Sequence, residues 1–190
     1  MRLEKLIDTK VGLNSRELKK RRNVHYYLKE YADKDLLRGY RPHTSKVSLD
    51  DEFVTAGDFV INVTTNEATI VSPLNEGKIL TQSSIKIIIK DSEQLDTWYL
   101  CYLFNDSQII KKQLYALMEG TVLKRSTQLN IKNLDIPLIP IHEQKRIGEV
   151  YRVFMKRKGL RIQREEEEQK SIFNFLEKSL VNKKEDKDEY

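Results

Sequence analysis

In residues 129–147, LNIKNLDIPLIPIHEQKRI, an apolar segment with two prolines gives way to a helical pattern. Pro137 and Pro140 cannot occupy a helix interior or a central strand, so we expect residues 129–141 to form an extended edge that leads out of a domain. From His142 the pattern is helical to about Val181, which corresponds to roughly 40 residues and ~60 Å. The sequence therefore predicts a domain followed by one long helix.

The predicted helix is too long for one small domain to cover. Apolar side chains group near its two ends: Ile147, Val150, Tyr151 and Phe154 at the start, and Ile172, Phe175, Leu176 and Leu180 at the end. A basic run at 156–161 precedes an acidic run at 165–168, so an antiparallel copy would set opposite charges together. We expect an antiparallel coiled coil with a partner copy. A lone, partly solvated helix and a break at Gly159 are the open alternatives.

The residues before this helix divide into three regions. Residues 1 to about 50 are basic and predicted to be loop-rich, with tyrosines interleaved. The β-branched runs at 59–63 and 85–89 predict strands, and residues 94–118 have helical spacing. The fold class is therefore α+β, with a mixed α/β domain at 1–141, a long helix at 142–182 and a disordered tail at 183–190.

Composition limits the possible functions without choosing one. The 34 Lys and Arg residues outnumber 29 Asp and Glu residues, which permits a polyanionic partner. The one cysteine, Cys101, lies in an apolar run and is predicted to be a buried, inert thiol. The charged N-terminus resembles no signal peptide, and no apolar stretch approaches the length of a membrane span. We expect a cytoplasmic protein.

Several motifs together resemble the specificity subunit of type I restriction-modification systems. The sharpest is Pro137-Leu138-x-Pro140-x-x-Glu143-Gln144-x-x-Ile147, which is similar to the end of a target-recognition domain and the start of its long helix. Two earlier segments also resemble the family. They are Leu3-Glu4-Lys5-Leu6-Ile7 with the turn Gly12-Leu13-Asn14-Ser15-Arg16, and the strand start Gly57-Asp58-Phe59-Val60-Ile61.

The resemblance implies a role without catalysis or cofactor. A target-recognition domain reads one half of a split site in double-stranded DNA, and the long helix is a spacer that docks adenine methyltransferase subunits. A restriction or translocase subunit is a further candidate partner. Typical members hold two such domains and two helices, whereas this sequence has one of each. It therefore resembles a half-subunit that forms a homodimer on a palindromic, interrupted site.

The resemblance also selects three polar loops for DNA contact. Arg and Lys supply phosphate contacts, and Arg and Asn can read base edges. The first loop and basic run contain Asn14, Ser15, Arg16, Lys19, Lys20, Arg21 and Arg22; the second contains Thr65 and Asn66; the third contains Lys124, Arg125, Ser126 and Thr127. Ordinary solvated charges are the alternative interpretation for each of them.

Two other functions remain open from the sequence. Asp58 with Glu76-Gly77-Lys78 has the bare spacing of a Mg²⁺-dependent nuclease, although Glu76 and Lys78 flank a glycine in a predicted turn. Alternatively, the long helix could serve oligomerisation in an interaction protein with no DNA role. No P-loop or methyltransferase motif can be written from the sequence.

Overall fold

A computed structural model describes residues 1–21, 23–42, 52–118 and 125–185, with side chains described as far as residue 180. The strands are β1 (Ile7–Val11), β2 (Tyr26–Tyr27), β3 (Phe59–Asn62), β4 (Ala68–Ile70), β5 (Ile79–Leu80) and β6 (Ser84–Ile89). The helices are α1 (Ser15–Leu18), α2 (Lys29–Arg38), α3 (Thr97–Asn105), α4 (Gln108–Met118), α5 (Gln128–Lys132) and α6 (Ile141–Glu185). The α+β class and the long C-terminal helix are confirmed.

A four-stranded antiparallel sheet in the order β1-β6-β3-β4 forms the centre of the domain. The register pairs Val11 with Ile85 and Asn62 with Ser84. The end of β1, the end of β3 and the start of β6 therefore lie at one end of the sheet. A parallel pair of short strands, β2 and β5, adjoins it.

The main core lies between this sheet and α3. Ile61 and Ile85 are buried with Leu100 and Phe104, and the rings of Phe59 and Phe104 are 6.4 Å apart. Each such side chain contributes about 1.5–3 kcal/mol when it is removed from water. The predicted strands and the helical region at 94–118 are confirmed by this arrangement, and Cys101 is buried as expected.

The prediction that residues 1–50 are loop-rich is wrong where the structure describes them, since β1, α1, β2 and α2 lie there. Helix α2 carries few apolar side chains because its buried face is partly polar. The carboxylate of Asp35, fully buried, accepts hydrogen bonds from Tyr27, Arg38, Ser72 and Asn75. This network replaces the apolar contact that helical periodicity detects.

Two glycines of helix α6 lie where the helix contacts the rest of the domain. A Cβ atom at Gly148 would lie 2.7 Å from the Tyr99 backbone nitrogen, and one at Gly159 would lie 2.6 Å from the Leu37 carbonyl oxygen. Both glycines therefore permit close backbone approach, by α3 and by the end of α2. The break considered at Gly159 is wrong, because α6 is continuous there.

The predicted extended edge at 129–141 is only partly right. Its first residues belong to α5, which is capped by Thr127, and residues 134–140 form the segment without a helix. Helix α6 extends to Glu185, so the predicted tail begins inside the helix, and its last residues, 186–190, lie outside the described residues. No helix in the described ranges is long and apolar enough to cross a membrane.

Candidate nucleic-acid interface

One end of the sheet gathers the loops that the sequence analysis selected. We call it the loop end and define it as residues 12–21, 62–67, 81–84 and 125–127. The turn between β5 and β6 lies at its centre: Leu13 accepts from the backbone N–H of Gln82, and the carbonyl of Ser83 accepts from Val63. The N–H of Ser126 donates to Val63, and the Arg125 guanidinium donates to the Gln82 carbonyl. Three segments distant in sequence are thus tied to one turn.

Gly12 is required for this arrangement. A Cβ atom there would lie 2.2 Å from the Thr81 carbonyl oxygen and 2.5 Å from that of Leu80. The backbone of residues 12–13 can therefore lie directly against the β5–β6 turn only because residue 12 lacks a side chain. The glycine turn that the resemblance pointed to has a physical reason in this contact.

The first predicted loop contains the short helix α1. Asn14 caps it, accepting from the backbone N–H groups of Arg16 and Glu17, while Glu17 accepts from Asn14 in return. Asn14 is exposed, but its side-chain oxygen is occupied by this cap. The other predicted residues of this loop that are exposed are Ser15, Arg16, Lys19, Lys20 and Arg21. Arg22 lies outside the described residues.

The second and third loops are joined to each other. Asn62 accepts from the N–H groups of Thr64 and Thr65, which closes a tight turn and leaves Thr65 exposed. Asn66 has a left-handed backbone (φ 61°), and its side-chain oxygen accepts from Ser126. Ser126 is buried, so it holds Asn66 in place and presents nothing to a partner.

Of the third loop, Arg125 and Thr127 are exposed. Thr127 caps α5 by accepting from the N–H of Asn130, which gives it a structural task. Arg125 uses one guanidinium nitrogen on Gln82 and keeps the others at the surface. Lys124 falls in the range 119–124, which the structure does not describe.

The charges at the loop end sort into paired and unpaired groups. Glu52 is paired with Arg21, and Glu67 with Lys29 at 2.9 Å. Partial burial opposes ionisation of Glu67, but the hydrogen bonds from Lys29 and Thr65 outweigh it and lower its pKa. Glu52 and Glu67 are thus paired with cations, whereas the exposed Glu17 accepts from the Asn14 N–H and has no ion pair with a described residue. Arg16, Lys19, Lys20 and Arg125 likewise have no ion pair with any described residue.

Gln82 also belongs to the loop end, although the sequence did not predict it as a DNA contact. Its side chain is exposed at the tip of the β5–β6 turn. The run Thr81-Gln82-Ser83-Ser84 between two apolar strands was the available signal, since such runs mark turns. Nothing in the sequence showed that three other segments would meet there.

The nuclease alternative lacks the geometry it needs. Asp58 is fully buried and its carboxylate is 2.6 Å from the Lys86 ammonium, also buried, and accepts from the Thr55 N–H. Glu76 is exposed, and Lys78 donates to Asn75. Within the described ranges no group of three or more His, Cys, Asp or Glu side chains is arranged to hold a metal ion.

The predicted partner-binding residues of α6 fall on two faces. Tyr151 is buried in the domain core, where its hydroxyl donates to Asp106, and Ile147 is packed against the same core. The assignment of these two to a partner helix is therefore wrong, because the start of α6 covers its own domain. Val150 and Phe154 are 67% and 59% exposed, and Ile172, Phe175, Leu176 and Leu180 are exposed as well.

Helical geometry aligns part of the exposed set. With 3.6 residues per turn, Val150, Phe154, Arg157, Arg161, Arg164, Glu168, Ile172 and Phe175 follow one line along α6. We call these eight residues the outer stripe. Gly148, Tyr151, Met155 and Gly159 follow a different line, which faces α3 and α2. One face of α6 thus packs on the domain, and the other, the outer stripe, is exposed.

Comparison with known proteins gives both a family and a fold. The model for the type I restriction modification DNA specificity domain matches residues 13–168. A type-I restriction-modification system S subunit from M. genitalium has a similar structure, with 18% identity and a TM-score of 0.53 over 83% of this chain and 38% of that one. A chain from a structure of complex assembly and conformational transition in the type I R-M system has 16% identity and a TM-score of 0.55, over 96% of this chain and 44% of that one.

The chain thus spans less than half the length of these two solved relatives, and at such identities the likeness concerns the fold alone. No curated protein matches the chain.

Proposed function

The chain belongs to the family of type I restriction modification DNA specificity domains, and we propose that it reads one half of a split site in double-stranded DNA as part of a homodimer. In this proposal residues 1–141 form the reading head and residues 142–182 the spacer helix. Adenine methyltransferase subunits dock on the assembly, a restriction or translocase subunit can join it, and the complex acts in the cytoplasm. The chain itself contributes no catalysis.

The observation that carries the proposal is the loop end. It presents the exposed glutamine Gln82 together with Arg16, Lys19, Lys20 and Arg125, none of which has an ion pair with a described residue, on segments that are joined by hydrogen bonds to the β5–β6 turn. Cations of this kind bind phosphates and polar side chains between them reach base edges, which is the division of labour that sequence-specific DNA recognition needs. If these residues were ordinary solvated charges, there would be no reason for their segments to be joined by backbone hydrogen bonds at one end of the sheet.

The outer stripe supports the homodimer. In an antiparallel pair centred between Ile162 and Gln163, Val150 lies opposite Phe175 of the other copy, and Arg157 lies opposite Glu168. Apolar side chains then meet at both ends of the contact, and Arg157 meets Glu168 between them. At the centre Arg161 lies opposite Arg164 of the other copy, a like-charge contact that opposes the pairing. Two heads held by one dyad read two half-sites in inverted order, so the expected target is an interrupted palindrome.

A salt titration tests the DNA role. Binding of random-sequence duplex DNA by the chain, with an adenine methyltransferase subunit present, should weaken linearly in log–log form as salt rises. Lys19→Ala and Lys20→Ala should each reduce the slope by about 1, because each removes one phosphate contact. Lys145→Ala is the matched control, since Lys145 is an exposed cation at the start of α6 that pairs with Glu93; it should leave the slope unchanged.

The same experiment separates the other candidates. A chain that dimerises but shows no binding, or binding without a salt slope, would be an interaction protein whose helix serves oligomerisation only. If Mg²⁺ caused cleavage of the duplex and Asp58→Ala abolished it, the nuclease interpretation would replace ours.

Arg125 allows a finer test of the head. Arg125→Ala should weaken specific binding by ~1–3 kcal/mol if the guanidinium reads a base, and by less if it meets only a phosphate. Equal loss on target and random duplex would show that Arg125 contributes no sequence reading.

A further inference from the structure

The backbone of Gln82 is fixed on both sides. Its N–H donates to the Leu13 carbonyl at 2.9 Å, and its carbonyl accepts from the Arg125 guanidinium at 3.1 Å. The neighbouring hydroxyls of Thr81 and Ser83 bond to each other at 2.7 Å. The turn is thus held by the first loop, the third loop and its own side chains, so the position from which the Gln82 side chain projects is well defined.

The side chain itself is not used by the fold. It is exposed, and it makes no hydrogen bond with any residue that the structure describes. The other amide side chains of the loop end all have internal tasks: Asn14 caps α1, Asn62 closes its turn, and Asn66 accepts from Ser126. Gln82 is therefore the amide of the loop end with both its donor and its acceptor available.

We propose that Gln82 is a specificity-determining residue that reads an adenine in the major groove of the half-site. A glutamine amide matches the N6 donor and N7 acceptor of adenine, and no other base offers that pair in the major groove. Arg125, which contacts the Gln82 backbone, and the exposed cations of the first loop would hold phosphates and set the register. This inference rests on the proposed DNA-reading function and assigns one contact within it.

A selection experiment tests the assignment. The wild-type chain, together with an adenine methyltransferase subunit, is incubated with a library of random duplexes, and the bound fraction is sequenced. Gln82→Ala should retain the motif but lose about tenfold or more of the preference for adenine at one position of each half-site, with an unchanged salt slope. Gln108→Ala is the matched control, because Gln108 is an exposed glutamine at the start of α4. It should leave the base preference at every position of the motif unchanged.

A second variant keeps the test sharp if Gln82→Ala binds poorly. Gln82→Glu replaces the amide donor by a negatively charged carboxylate, which only accepts and can accept from the N4 amino group of cytosine. The added charge should weaken binding of all duplexes, and the preference at the same position should move from adenine towards cytosine. An unchanged motif in both variants would overturn the role of Gln82 while leaving the DNA-reading function intact. If the wild-type chain enriched no motif at all, the proposed function would fail, and this inference with it.

Discussion

The two halves of α6 belong to one continuous helix but have different surroundings. Its first half is tied to the head: Gly148 meets α3, Gly159 meets the end of α2, and Tyr151 and Met155 lie in the core. From Leu160 to Leu180 every side chain is exposed, several large apolar ones among them. The first half therefore fixes the direction of the helix, and the second half leaves apolar side chains exposed, as the proposed pairing with a second copy requires.

The largest expected effect is a difference in stability between substitutions at two aromatic residues of α6 that lie about one turn apart. Tyr151→Ala should lower the free energy of unfolding by about 3–5 kcal/mol, because it leaves a cavity between α6 and α3 and removes the hydrogen bond to Asp106. Phe154→Ala, on the outer stripe, should lower it by well under half of that in dilute, monomeric protein. Urea denaturation of both variants measures the difference. Equal losses would mean that the two faces of α6 are not distinct.

A smaller effect is expected at Gly159. Alanine would gain about 1 kcal/mol of helix propensity, but its Cβ would meet the Leu37 carbonyl oxygen at 2.6 Å and the Leu37 Cβ at 2.9 Å. Overpacking of this kind costs ~1–3 kcal/mol, so Gly159→Ala should be destabilising overall.

Ser171→Ala, in the exposed half, serves as the control for Gly159→Ala and should change stability by less than about 0.5 kcal/mol. A Gly159→Ala variant more stable than wild type would show that α2 does not hold α6 at this point.

The sequence predicted most of the strands and helices, but not which of them hold α6. The β-branched runs located β3 and β6, and helical periodicity located α3 and the long helix. Helix α2 was missed because the residue it buries most deeply is Asp35, and a buried carboxylate produces no apolar period. Gly159 was interpreted as a weakness because a sequence shows the propensity of a glycine but not the backbone that approaches it.

The segments that form the candidate site could be predicted, but not which of their side chains are used by the fold and which remain available. The glycine turn, the loop after β3 and the loop before α5 do converge on one turn. Which side chains remain available depends on caps and turns that form only in three dimensions. Asn14 and Ser126 are used internally for that reason, and Gln82 was overlooked because its importance comes from its neighbours.

The smallest expected effect concerns charge pairing between copies. Arg157→Glu or Glu168→Arg should each weaken dimerisation by about 0.2–1 kcal/mol per pair, and the double variant should recover most of the loss. In a single chain both side chains are solvent-exposed, and Glu168 accepts only from Arg164. Sedimentation equilibrium measures the association constants. Additive losses in the double variant would exclude the register centred between Ile162 and Gln163.

The mass of the purified protein in solution tests the central claim most directly, namely that the exposed half of α6 holds two reading heads apart. Light scattering at micromolar concentration, with and without the methyltransferase subunit, should give a complex that contains two copies of this chain. One copy under both conditions would contradict the account.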